Sequence, residues 1–154
     1  MIKYILLLLF FAASLIFNDL YAQELEFIRK QYPKAITDRE SCREMIALLN
    51  NERQINVVAL AYLGAFETIW ANHVFNPISK LNTFNKGKNK IEKAVKKEPD
   101  NFEIRFIRLS IQQNAPSFLG YGSNIIEDKA FIKTNIHLID AADLKKNVQA
   151  LLKE

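Results

Sequence analysis

The 154 residues, 49% hydrophobic and 25% charged, fit one folded globular domain and exclude a disordered or acidic-tail protein. Four glycines and four prolines exclude collagen-like, linker-rich and most all-β architectures, which need many turn residues. One cysteine excludes an internal disulfide framework and any multi-cysteine metal site, two histidines leave little for a histidine-based metal centre, and the net charge of +4 is mild.

Met1-Ile2-Lys3 gives a positive start to the apolar run from Ile5 to Phe17, interrupted only by Ser14. Its 13 residues suit the core of a signal peptide and fall short of the roughly 18–20 needed to span a bilayer. Leu20-Tyr21-Ala22 places a small residue before a cleavage point. Residues 1–22 are therefore expected to direct export, leaving 23–154 as a single domain in the periplasm or outside the cell, with no stable membrane span. Losing Lys3 and Asp19 together leaves the net charge unchanged.

The remainder reads as helices. Leu25, Phe27, Ile28 and Tyr32 share one side of a short helix that Pro33 is expected to stop. Thr37 and Glu40 have capping-box spacing for a second helix, through Cys42, Met45, Ile46, Leu48 and Leu49 to Asn50-Asn51. A third runs from near Ile55 to about Phe75; its stretch from Val57 to Phe66 holds no charge and should be buried on nearly all sides. Asn76-Pro77 breaks it.

A fourth helix covers about Ile78 to Glu98, with Leu81, Phe84, Ile91, Ala94 and Val95 inward. Its lysines, Lys86 to Lys97, read as a solvated face rather than a nucleic-acid surface, since no aromatic residues interleave them. Pro99 closes it and Asp100 is placed to cap a fifth, Phe102 to Gln113, whose Arg105, Arg108 and Gln112 share one face. After the irregular stretch Asn114–Gly122, Ser123 starts a sixth through Ile126, Ala130 and Phe131, and Asp140 caps the last, with Leu144, Val148, Leu151 and Leu152 inward. The expected fold is all-α, with six or seven helices.

Gly87-x3-Ile91-x2-Ala94-x4-Pro99 resembles the second half of a tetratricopeptide repeat, and Leu63-Gly64 is similar to the Leu-Gly pair of its first helix. The physical basis is close packing: Gly87 and Ala94 admit a paired helix and Ile91 fills the groove. Gly64 and Gly87 lie 23 residues apart, against roughly 12 in a regular repeat. The resemblance, over about 57–113, therefore implies a tetratricopeptide-like α-hairpin bundle rather than a regular array. Tyr62-Leu63-Gly64-Ala65, Val74-Phe75-Asn76-Pro77, Pro99-Asp100-Asn101 and Pro116-Ser117-Phe118-Leu119-Gly120-Tyr121, with the export signal, also resemble small exported proteins of Bacteroidetes-type bacteria, a group that brings no catalytic residues to transfer.

His73 and His137 lack the local spacing of a zinc helix, and no nucleophile elbow or phosphate-binding glycine loop is present. Cys42, despite Arg39 and Arg43 nearby, sits at helical spacing with Met45 and Leu49 and reads as a small core residue. Glu67 follows the uncharged run and needs a partner, expected to be Arg105 or Arg108 on the neighbouring helix or the backbone N–H groups of a loop. The loop from Asn114, with Phe118, Leu119 and Tyr121 among Pro, Ser and Gly, is the expected binding element. These residues imply an exported, non-enzymatic protein without cofactor or metal, presenting helical hairpins to a protein or peptide. The alternative is a small-ligand carrier or enzyme with a polar cavity near Glu67, Tyr62, His73 and Arg105.

Overall fold

The computed structural model describes residues 22–51 and 56–153. The expected export signal and the expected start of the third helix at Ile55 lie outside them. Seven α-helices follow in order, with no strand among the described residues: α1 (22–35), α2 (Arg39–Asn50), α3 (Val57–Trp70), α4 (Pro77–Lys97), α5 (Phe102–Asn114), α6 (Ile125–Asn135) and α7 (Ala142–Leu151). None of the described helices is long and apolar enough to cross a membrane.

The uncharged run places α3 at the centre, packed against α2, α4 and α5, while α6 and α7 lie on α5. Every residue from Ala61 to Ile69 is buried. The tightest contact is between α3 and α4, where Gly64 and Gly87 meet backbone to backbone. A Cβ on Gly64 would lie 2.6 Å from the Gly87 carbonyl oxygen, and one on Gly87 would lie 2.7 Å from the Thr68 amide nitrogen. Only glycine fits either position. An aromatic cluster joins α1 to α3 and α5: Tyr32 meets Tyr62, Phe66 and Phe106 edge-on at ring-centre distances of 5.4, 5.8 and 6.2 Å.

Several local expectations need correction. Pro33 does not stop α1, which continues to residue 35. Proline has no N–H for the Arg29 carbonyl, and the side-chain amide of Asn147 on α7 donates to that oxygen instead, at 3.1 Å. Asp38, not Thr37, caps α2, accepting from the amides of Glu40 and Ser41. Asn101, not Asp100, caps α5, and Ala141, not Asp140, stands at the N-cap of α7 without a side-chain hydrogen bond. Asn76 caps α4 and Pro77 occupies its first turn, so this pair starts a helix after the short 3-10 turn Ala71–His73. Leu81 is not buried, and Leu152 is only half-buried.

The face of α5 carrying Arg105, Arg108 and Gln112 is buried. Asp128 of α6, fully buried, receives Arg108 Nε and Nη2 at 2.6 and 2.7 Å and lies 2.5 Å from Arg105 Nε. Arg105 also reaches Glu127 at 2.7 Å and spreads over the Phe131 ring. Burial pulls the Arg108 pKa down, but the Asp128 hydrogen bonds and charge more than offset this, and the net shift is upward. Glu127 is held below the usual carboxylate range by the Arg105 guanidinium.

Candidate functional site

The ends of α1, α3, α5 and α7, the start of α4 and the 116–119 turn surround a cavity of about 850 Å³ that opens to solvent. Its floor is Ile69, Phe84 and Phe106, all buried. Beside them Tyr32 and Ser110 share a hydroxyl–hydroxyl hydrogen bond of 2.5 Å. Burial pushes the Tyr32 hydroxyl up to about 12, against the Ser110 bond, so it stays neutral at ordinary pH. The lip carries apolar side chains that face water: Ile36 is 55% exposed, Leu81 45% and Phe118 84%.

Polar groups at this lip are few. Asn114 Nδ2 donates to the Ser110 carbonyl at 2.8 Å, and Asn147 Nδ2 to the Arg29 carbonyl at 3.1 Å. Both amides are held by their nitrogens, and neither Oδ1 has a hydrogen-bond donor among the described residues. Lys80 is the one charged side chain in the lining among the described residues.

The expected binding loop is rigidly built. Gly120 adopts the left-handed conformation at φ 61°, ending the turn Ser117–Leu119. Tyr121 then plunges inward, donating its hydroxyl to Glu92 Oε1 at 2.5 Å and meeting Phe84 edge-on at 6.0 Å. Burial, reinforced by the Glu92 carboxylate, raises its pKa strongly. Tyr121 is thus the loop's anchor and is absent from the cavity lining, whereas Asn114, Phe118 and Leu119 are part of it.

Glu67 and Arg105 lie elsewhere. Glu67 is buried, but its partners are Lys90 and Lys86 of α4 at 2.6 and 3.0 Å, not the arginines of α5. The spacing carries the reason: Gly64 touches Gly87, so one turn further along α3 the carboxylate faces the lysines either side of Gly87. Glu67 borders a second pocket of about 330 Å³ with Arg43, Trp70 and Lys86. Tyr62 donates to Glu103 Oε1 at 2.7 Å, and the same carboxylate takes both Arg29 bonds, at 2.8 and 2.6 Å. Glu67, Tyr62 and Arg105 therefore hold separate partners and do not converge.

Cys42 is fully buried, its thiol 3.3 Å from the Phe66 carbonyl oxygen, and burial pushes its pKa up to about 12. His73 rests beside Trp70 with ring centres 5.5 Å apart, and His137 is exposed. No cluster of three or more His, Cys, Asp or Glu suited to a metal ion occurs among the described residues.

Ile36, Lys80, Leu81 and Asn147 belong to the lip but carry little sequence signal, because they come from separate segments. The one hint is Leu81, an apolar residue at inward spacing that the structure leaves exposed. The chain matches no protein-family model, no curated protein and no solved structure.

Proposed function

We propose that the protein is an exported, non-enzymatic interaction module whose cavity receives an apolar peptide segment of a partner protein. The carrying observation is the open 850 Å³ cavity with a packed aromatic floor and exposed Ile36, Leu81 and Phe118 at its lip. Water on these side chains is released when an apolar group covers them, which is the usual driving force for such sites. Asn114 is exposed and Asn147 half-buried, so water serves their Oδ1 atoms until an occupant enters; they favour a peptide over an acyl chain, since backbone N–H groups can replace that water. The separate commitments of Glu67, Tyr62 and Arg105 weigh against the polar-cavity alternative.

The test is fluorescence anisotropy with a labelled, end-capped peptide of leucine and phenylalanine around one central asparagine. Saturable binding that weakens at least about tenfold in Phe118→Ser and Leu81→Asp, and not in Glu67→Gln, supports the reading. Absence of saturable binding, or equal binding by all variants, overturns it. Export is tested separately by the mass of the protein recovered from periplasm or culture fluid, expected to lack residues 1–22.

A further inference from the structure

Among the described residues, the cavity lining contains one full charge, Lys80, and no carboxylate. Lys80 lies one turn into α4, beside Pro77 and Leu81, both also in the lining. No acidic side chain lies within ion-pair distance of it among the described residues. Its neighbours along the helix differ. Lys86 and Lys90 are taken by Glu67, and Lys88 lies over the Tyr121 ring at 5.0 Å. Among the described lining residues, Lys80 is therefore the cation left for an occupant.

We propose that the peptide segment received by the cavity carries a single carboxylate, placed against Lys80, with apolar side chains seated on Phe84 and Phe106. This rests on the peptide-binding reading above and narrows it to an acidic–apolar partner segment. Three features select together. The floor favours apolar side chains, Asn114 and Asn147 accept N–H donors that replace their water, and Lys80 favours one negative charge while disfavouring a positive one. A basic segment would meet Lys80 with no carboxylate nearby to offset it. A fatty acid would satisfy floor and lysine but offers no N–H donor in place of the water it displaces from the half-buried Asn147.

The experiment uses the same end-capped peptide in three versions, with asparagine, aspartate or lysine at its centre, against wild type and Lys80→Glu. Wild type should prefer aspartate over asparagine by about two- to fivefold, the size of an exposed ion pair, and asparagine over lysine. The preference should shrink as salt rises from about 20 to about 500 mM. In Lys80→Glu the order of the three versions should invert. Equal binding of all three versions to both proteins overturns this proposal and leaves the peptide-binding reading standing. Loss of saturable binding for all three overturns both. Sodium decanoate, which has a carboxylate and no amide, should displace the aspartate peptide only at far higher concentration; displacement at equal concentration overturns the peptide identity.

Discussion

Asn147 holds the backbone carbonyl of Arg29, the oxygen that Pro33 deprives of its helical partner, at 3.1 Å. The bond ties the last helix to the first across 118 residues and fixes one edge of the cavity. Asn147→Ala should cost about 1 kcal/mol of unfolding free energy, the usual net worth of such a bond. In a Pro33→Ala background the restored backbone N–H at that position can serve Arg29, and the cost of Asn147→Ala should fall by at least half. Urea denaturation of the four proteins checks this, and an additive cycle would contradict it.

Gly64→Ala and Gly87→Ala should each destabilise by about 1–3 kcal/mol, although alanine is the better helix former by about 1 kcal/mol. The new methyl meets backbone atoms of the facing helix, which cannot rotate away as a side chain would. Thermal melts measure the effect, and an increase in Tm for either variant would refute the backbone contact.

Asp128→Ala leaves two guanidinium groups, Arg105 and Arg108, without their buried carboxylate. The expected loss is about 3–5 kcal/mol, read from chemical denaturation. Adding Arg108→Met to Asp128→Leu should recover part of it, because a well-packed apolar pair avoids the desolvation of both ions.

The core and its helices were legible where one residue type decides the outcome. The uncharged run of α3 could only be buried, and Gly87 with Ile91 and Ala94 marked the close helix pair. Caps were harder, because Thr37 and Asp38, or Asp100 and Asn101, are adjacent residues able to accept from the same amides, and φ/ψ decides between them. The charges of Arg105 and Arg108 are plain in the sequence, whereas nothing there marks Asp128, 20 residues beyond Arg108, rather than Glu67 as their partner. The cavity was half legible: Asn114, Phe118 and Leu119 stand in the loop, but Ile36, Leu81 and Asn147 reach it only through tertiary packing.

Alkali should unfold the protein through its buried tyrosines. Burial first, with carboxylate neighbours adding to it at Tyr62 and Tyr121, raises the hydroxyl pKa values of Tyr32, Tyr62 and Tyr121 in the folded state. The unfolded chain loses these protons near pH 10 while the folded one keeps them, so the unfolded state binds fewer protons there and stability falls with rising pH. Tm should begin to fall from about pH 8.5, where the unfolded Cys42 thiol ionises and the buried one does not, and fall more steeply above about pH 10. Tyrosinate absorbance from these three residues should appear together with the loss of helical circular dichroism; titration of all tyrosines near pH 10 in the folded protein would be incompatible with their burial.

Phe118→Ser should change stability by less than about 0.5 kcal/mol, since the ring is 84% exposed and turned to solvent. The same variant is the one expected to lose the peptide, which separates recognition from folding at a single position.

With Tyr121 strapped to Glu92 and Gly120 locking the turn, the cavity mouth is set before anything enters it. Such a socket charges little ordering entropy at the moment of contact, so encounter rates should vary little among related segments and residence time should sort them. Cutting the strap with Tyr121→Phe would then slow capture even of a segment whose own contacts are untouched.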